Sequence, residues 1–191
     1  LVEDQSEQVA NRLDEMAEKI SDPQLDRARE KLERADALKS EVDDPESAKE
    51  AMDSVQEAKR LLALTRKAHL KEIRQMELEK AVESFDKAVR RFAKPSEETA
   101  FDNLVRTARR AIESSSADFE AHLGDLRGRS FMILWRQDWF VLDRFKWLAG
   151  ATHLFPSASE HAQMGALGVE ALKANDMDKV RTVVAGLDSL R

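Results

Sequence analysis

Apolar residues recur at helical spacing along the front of the chain, and short polar breaks that contain proline interrupt the pattern. One apolar stripe predicts a helix over about residues 2–20, and a second predicts a helix from Pro23 to about Val42. Asp22-Pro23 and Asp44-Pro45 both place a capping carboxylate before a proline at the first helical position, which is typical of a helix start. The front is therefore predicted to begin with two helices, followed by a third from Pro45.

The third apolar segment is much longer than the first two. No proline or glycine interrupts residues 45–93, and the apolar residues in this range stay near helical spacing. One continuous helix of that length would span roughly 73 Å, which is too long for one element of a compact fold. The segment is predicted either to form a coiled-coil arm or to break, and His69-Leu70 is the weakest place in the pattern.

Residues 95–191 show shorter apolar stripes and more frequent turn signals. Helices are predicted to begin near Ser96, Asp118, Arg129, Ser157 and Asp176. Ser96 is a predicted N-cap, and Ser157 stands in capping-box spacing with Glu160. Residues 108–123 and 168–180 share the order helix, small polar turn, acidic cap and helix. That order is similar to tetratricopeptide hairpins, although no repeat period is maintained.

The predicted fold class is all-α, in two parts that meet at Lys94-Pro95. Residues 1–94 are predicted to form an elongated, charged long-helix hairpin or bundle, or a coiled-coil arm. Residues 95–191 are predicted to form a compact, aromatic-rich helical bundle with tetratricopeptide-like hairpins. Residues 1–58 hold 8 basic and 18 acidic side chains, whereas residues 59–94 hold 11 basic and 5 acidic ones. The acidic helices are therefore predicted to fold back along the basic segment, and the long helices offer a surface for a homodimer.

Composition narrows the classes of function and location. A net charge of −6 argues against a general nucleic-acid binder. The basic cluster of the front has no aromatic neighbour that could stack bases; it consists of Arg60, Arg66, Lys67, Lys71 and Arg74. The absence of cysteine excludes disulfides, and no apolar run is long enough for a membrane span. With no visible signal peptide, a cytoplasmic location is expected, and the start at Leu1 predicts a fragment of a longer protein.

All three tryptophans lie in one aromatic run. The candidate residues for a partner-binding site, or for a core, are Phe131, Trp135, Trp139, Phe140 and Trp147. The predicted helix over residues 129–149 is apolar nearly all round, so Trp135 and Trp139 are predicted to be core. An exposed aromatic groove that binds a partner peptide is the alternative. The charged residues within the run are predicted to form a structural ion network; they are Arg136, Asp138, Asp143 and Arg144.

The sequence contains no recognisable catalytic, metal-binding or cofactor-binding motif. The four histidines have none of the spacings of a helical metal pair; they are His69, His122, His153 and His161. No phosphate-binding loop or nucleophile elbow is present, so no catalytic residue and no cofactor are assigned to this chain. Gly165 and Gly168 lie in a helical context, where such glycines are expected to permit close helix packing.

From about Lys94 onward the chain resembles the C-terminal helical region of an unusual branch of DnaK-like heat-shock chaperones. The segments that carry the resemblance are Ala93-Lys-Pro-Ser-Glu-Glu98, Leu126-Arg-Gly128, Ile133-Leu-Trp-Arg-Gln-Asp-Trp-Phe140, His153-Leu-Phe-Pro156 and Val183-Val-Ala-Gly-Leu-Asp-Ser-Leu190. The tryptophan-containing string is the most specific of them. The charged front is similar to that region in character rather than in motif.

The resemblance implies a non-catalytic module of an ATP-dependent chaperone that acts as a lid, a regulatory element or a partner-docking domain. It implies ATP for the full-length protein only, because no nucleotide-binding residue of that family falls within this chain. The expected partner is another protein or an unfolded client. The alternative is a stand-alone helical adaptor whose aromatic half binds a partner protein.

Overall fold

The computed structural model describes residues 2–39 and 44–191, and its regular elements are all helical, which confirms the all-α fold class. The α-helices in these ranges are α1 (Val2–Ala17), α2 (Pro23–Lys39), α3 (Pro45–Ala68), α4 (Leu70–Ser84), α5 (Pro95–Glu113), α6 (Phe119–Trp135), α7 (Asp138–Gly150), α8 (Ala158–Lys173) and α9 (Met177–Ser189). A π-helical turn, Phe85–Val89, and a 3-10 turn, Arg90–Phe92, join α4 to α5. The predicted end of the second helix at Val42 lies outside the described residues.

The long third segment breaks at His69, as the sequence predicts. His69 has φ −119° and ψ 39°, which ends α3 before α4 begins at Leu70. The His69 ring nitrogen Nε2 lies 3.0 Å from Oδ2 of Asp22. The segment is therefore two helices rather than one, and the coiled-coil arm stays a prediction.

The chain divides into two compact units, and the division does not follow the linear boundary predicted at residues 94 and 95. The first unit comprises residues 1–83 and 103–123, and the second comprises residues 84–102 and 124–191. Helices α5 and α6 each contribute residues to both units. A boundary drawn at a proline finds where a helix starts, but it cannot find a helix whose residues are divided between two units.

The core of the first unit is built from the apolar stripes of α1, α2 and α3. Its fully buried residues include Leu13, Ala28 and Val55. The predicted charge pairing between front and middle holds in part, because Glu15 binds Lys80 while Lys19 and Glu79 pair in the opposite sense at 2.8 Å. Exposed ion pairs contribute only about 0–1 kcal/mol each. The first unit is therefore stabilised mainly by burial of the apolar stripes.

The core of the second unit is formed by α7, α8 and α9. Val141 and Leu148 of α7 and Val184 and Leu187 of α9 are fully buried in it. Gly168 of α8 lies directly against the ring of Phe145, so that a Cβ at this position would overlap the ring atoms Cε2 and Cζ. The prediction of close packing at a helical glycine is therefore confirmed at Gly168.

Helix starts follow the predicted capping chemistry at most positions. The Asp44 carboxylate accepts from the backbone N–H of Ser47 at 3.0 Å, and that of Asp176 accepts from the N–H of Lys179 at 3.0 Å. The predicted cap at Ser96 is wrong, because α5 already begins at Pro95. Instead the side chain of Glu97 reaches back and accepts from the backbone N–H of Lys94 at 2.8 Å.

Two helical turns have the same backbone geometry. Ser115 and Asn175 both have positive φ, at 53° and 54°. In each turn the next residue donates its N–H to a carbonyl five positions back: Ser116 to Ala111 and Asp176 to Ala171, both at 2.9 Å. The predicted similarity of the two segments holds for these turns, and the tetratricopeptide-like hairpins stay a prediction.

The helix break in the aromatic region differs from the prediction. A break was expected near Gly128, but α6 runs through that glycine to Trp135, and α7 starts at Asp138. Gln137 has an extended backbone between the two helices, with φ −90° and ψ 122°. Contacts from residues distant in the sequence stabilise this break, so the local sequence does not predict it.

Candidate functional site

Five aromatic rings of the second unit form a continuous chain of ring contacts, which we call the aromatic ladder. Its rings are, in spatial order, Phe92, Trp139, Phe140, Phe131 and Trp135. Successive ring centroids lie 5.8, 5.9, 5.8 and 5.5 Å apart. These separations fall in the favourable range for aromatic pairs, each worth about 0.5–1.5 kcal/mol beyond burial.

The ladder lies at the surface, and this corrects the prediction of a tryptophan core. Trp139 is 44% exposed and Phe131 is 37% exposed. Trp135 is half-buried and packs against the core of the second unit, so its predicted role holds in part. The helix α7 is apolar on most of its circumference, but its buried face is occupied by Val141, Phe145 and Leu148 rather than by tryptophan.

Four of the five residues predicted as candidates meet in the ladder, and the fifth does not. Trp147 is 50% exposed and pairs with Arg191, whose guanidinium carbon lies 5.1 Å from the centre of the indole ring. No ring contact joins Trp147 to the ladder within the described part of the chain. Trp147 therefore serves as an internal control for experiments on Trp139.

The sequence pattern did not indicate Phe92, which is one end of the ladder, or Arg91, which contacts the Phe92 ring. Phe92 was assigned to the apolar stripe of the long third segment. The π-helical turn before it, Phe85–Val89, changes the helical register, and Phe92 ends half-buried beside Trp139 instead of in the first core. Irregular helical turns of this type are frequent at functional sites. Nothing in the spacing of the apolar residues indicates the π turn.

Arg91, Phe92 and Trp139 line an open cleft of about 420 Å³, which we call the Arg91 cleft. The guanidinium carbon of Arg91 lies 4.7 Å from the centre of the Phe92 ring, which is a cation–π contact. Most of the exposed surface of the cleft is apolar, and Arg91 supplies its charge. The cleft thus combines an indole face, a phenyl ring and a cation.

An ion pair fixes the backbone next to the cleft. Arg136 binds the Glu97 carboxylate through both terminal guanidinium nitrogens, and its Nη2 also donates to the carbonyl oxygen of Phe92 at 3.4 Å. The hydrogen bond from Arg136, followed by that from the Lys94 N–H, lowers the pKa of Glu97 from 4.5 to about 2. The carboxylate therefore stays charged, and can pair with Arg136, at pH values well below its ordinary pKa.

The stability of the second unit should depend on acid through Glu97. Because the folded pKa of Glu97 lies below its ordinary value, the ion pair stabilises fully above about pH 4.5 and is lost as the pH falls toward 2. Thermal unfolding of the wild type followed from neutral pH to pH 2 should therefore lose stability more steeply below pH 4.5 than Glu97→Gln does. Parallel curves for the two proteins would contradict this assignment.

The end of α6 is held by a second arginine. Arg181 of α9 donates to the carbonyl oxygens of Trp135 at 3.4 Å and Arg136 at 3.3 Å, and its Nη2 lies 2.6 Å from Oδ1 of Asp138. The last carbonyls of a helix have no partner within the helix, and a cation there is favourable. This contact stabilises the break between α6 and α7 and so fixes the two halves of the ladder.

Three of the four charged residues of the predicted ion network form ion pairs, each with a partner on another helix, whereas the fourth, Asp143, is exposed and belongs to none of these pairs. Arg136 pairs with Glu97, Asp138 with Arg181, and Arg144 with Asp188 at 2.7 and 2.8 Å. The guanidinium carbon of Arg144 also lies 5.6 Å from the centre of the Phe131 ring. These ion pairs help to position the ladder.

Several of the other candidate residues make structural contacts. His161 is buried, and its Nε2 lies 2.9 Å from the carbonyl oxygen of Leu148 at the end of α7. Two residues of the basic cluster of the front form ion pairs: Arg66 binds Glu77 and Arg74 binds Glu120. No group of side chains suited to a metal ion occurs in the described residues. No helix in residues 2–39 and 44–191 is long and apolar enough to cross a membrane.

No family model, curated protein or solved structure matches this chain. The site must therefore be interpreted from its own chemistry. Exposed aromatic rings beside an arginine are typical of protein-binding hot spots, which are enriched in tryptophan, tyrosine and arginine. The arrangement can bind an apolar side chain together with a polar or charged neighbour.

Proposed function

We propose that this chain is a non-catalytic protein-docking module and that the aromatic ladder, with the Arg91 cleft at its end, is its docking surface. The observation that carries the proposal is the exposed indole of Trp139, which stands beside Phe92 and Arg91 in one cleft. Burying a partly exposed tryptophan against a partner gains free energy from apolar area at about 25 cal/mol per Å². The supporting ion pairs hold the ladder in place before binding, which reduces the entropy cost of association.

The resemblance to DnaK-like chaperones gives this proposal its first context. In that context the chain is a C-terminal module of an ATP-dependent chaperone, and the exposed ladder favours partner docking over a purely structural lid. The alternative is a stand-alone helical adaptor that uses the same surface. Reading the parent gene upstream of Leu1 separates the two, because a phosphate-binding ATPase domain there favours the chaperone and its absence favours the adaptor.

The docking proposal is tested with two tryptophan variants of the same helix. We expect Trp139→Ala to weaken binding of peptides selected by the wild-type chain from a phage-displayed random library by about 30-fold, as truncation of a hot-spot residue costs about 2 kcal/mol or more. Trp147→Ala is the matched control, because Trp147 is equally exposed but lies outside the ladder. We expect that control to bind within about twofold of the wild type.

Stability measurements on the same two variants keep the result interpretable. Trp139→Ala loses partly exposed ring contacts only, so we expect a loss of about 1 kcal/mol and a fall in melting temperature of about 2–4 °C. Equal binding by both variants, or a wild-type chain that enriches no peptide, would contradict the docking proposal.

A further inference from the structure

We propose that Arg91 is a carboxylate receptor, so that the Arg91 cleft selects a partner segment in which an aspartate or glutamate stands next to an apolar side chain. This inference rests on the proposed docking function and names the chemistry of the partner. It is carried by a contrast between two consecutive arginines of one short 3-10 turn, Arg90–Phe92.

Arg90 is saturated with carboxylates. Its Nε lies 2.9 Å from Oδ1 of Asp86, its Nη1 lies 3.2 Å from Oε2 of Glu98, and its Nη2 lies 3.1 Å from Oδ1 of Asp102. Its guanidinium carbon also lies 5.1 Å from the centre of the Phe85 ring. Each of the three guanidinium nitrogens of Arg90 is therefore already engaged by a carboxylate of the second unit.

Arg91 has the same type of ring contact but no carboxylate. It is exposed, its guanidinium carbon lies over the Phe92 ring, and no acidic side chain of the described residues pairs with it. The contact of Arg91 with the ring involves no carboxylate. A guanidinium can bind a carboxylate through two parallel hydrogen bonds, so Arg91 keeps this capacity beside the ring.

The charges around the cleft favour an anion. The carboxylate of Asp138, which precedes Trp139, is paired with Arg181, and the carboxylate of Glu97 is paired with Arg136. Arg91 is then the uncompensated charge among the lining residues of the cleft. The net charge of −6 on the whole chain does not oppose this at close range, because salt screens exposed charges beyond about 8 Å at physiological ionic strength.

Trp139 and Phe92 provide the surface that contacts the apolar side chain of the partner segment. Their ring centroids lie 5.8 Å apart at an angle of 42°, so the two rings form an angled wall beside the guanidinium. A leucine, methionine or phenylalanine side chain can cover this wall while the next carboxylate reaches Arg91. Lysine or arginine at that position would instead face a like charge.

The test uses the phage-displayed peptide pools selected by the wild-type chain, by Arg91→Gln and by Arg110→Gln. Arg110 is an exposed arginine of α5 that belongs to the first unit, so its variant removes the same charge from a residue that is not part of the ladder. We expect Asp and Glu to be enriched severalfold next to an apolar residue in the pools of the wild type and Arg110→Gln. We expect no such enrichment with Arg91→Gln.

A double-mutant measurement on the best selected peptide completes the test. Replacing its acidic residue with the amide should weaken binding to the wild type about tenfold, as expected for loss of a charged hydrogen bond, and should leave binding to Arg91→Gln unchanged. Equal loss with both proteins, or enrichment of basic residues, overturns the carboxylate assignment. If Trp139→Ala still weakens binding in that case, the docking function stands and only the assignment of Arg91 fails.

Discussion

Replacing Arg74 with alanine is expected to destabilise the first unit by about 3–4 kcal/mol. Arg74 is only 6% exposed, and it makes three kinds of contact. Its Nε and Nη2 bind the two carboxylate oxygens of Glu120 at 3.0 and 2.8 Å, and its Nη1 donates to the carbonyl oxygen of Ser116 at 3.0 Å. Its guanidinium carbon lies 5.2 Å from the centre of the Phe119 ring.

The large loss of stability expected for Arg74→Ala follows from the contacts that the substitution removes and from the space that it empties. The carbonyl of Ser116 loses its partner, the carboxylate of Glu120 keeps only its contact with Arg66 at 3.3 Å, and the buried aliphatic stem leaves a void. The loss should lower the melting temperature measured by circular dichroism by roughly 6–16 °C. Arg74→Met, which retains most of the stem, separates packing from hydrogen bonding.

Arg60 supplies the matched control. Its ion pair with Glu57 lies at the surface, three positions apart on α3, with 61% of the arginine side chain exposed. Exposed pairs of this kind contribute about 0.5 kcal/mol, so Arg60→Ala should melt close to the wild type. A similar loss of stability in both variants would contradict the large stabilising contribution that is assigned here to the buried contacts of Arg74.

The second large effect is expected at Gly168, where alanine should cost about 2–3 kcal/mol. A Cβ there would overlap the Phe145 ring, and Phe145 is buried in the core of the second unit and cannot move aside freely. Because all three tryptophans lie in this unit, their fluorescence reports its unfolding directly.

Gly165 is the control on the same helix. A Cβ at Gly165 has no neighbour within 4 Å, so alanine there adds no clash. Alanine is preferred over glycine inside a helix by about 0.5–1 kcal/mol, so Gly165→Ala should be neutral or stabilising. Opposite signs for the two substitutions are therefore expected, and a stabilising Gly168→Ala would contradict the packing described here.

Local chemistry was sufficient to predict part of this fold. The caps at Asp44 and Asp176 and the break at His69 depend on a few neighbouring residues, and all three are present. The break between α6 and α7 was not predictable, because Arg181 and Glu97 stabilise it from positions distant in sequence. The π-helical turn before Phe92 likewise has no recognisable spacing.

The composition of the chain indicated which aromatic residues are candidates for a site, but it did not predict how they are arranged. The aromatic run identified Trp139 and Phe131 as candidates, yet the all-round apolar character of the predicted helix favoured a core. Helix α7 buries Val141 and Leu148 instead, so its tryptophans remain at the surface. Burial depends on which face the rest of the chain covers, and a periodic pattern that is apolar on several faces does not specify that choice.

The docking claim is tested most directly by nuclear magnetic resonance of the three indole N–H groups, assigned with single Trp→Phe variants. The chain is titrated with the tightest peptide selected by the wild type. The account predicts that the Trp139 resonance shifts most, that Trp135 at the other end of the ladder shifts less, and that Trp147 does not move. A shift confined to Trp147, or no shift of Trp139 at a saturating peptide concentration, would contradict it.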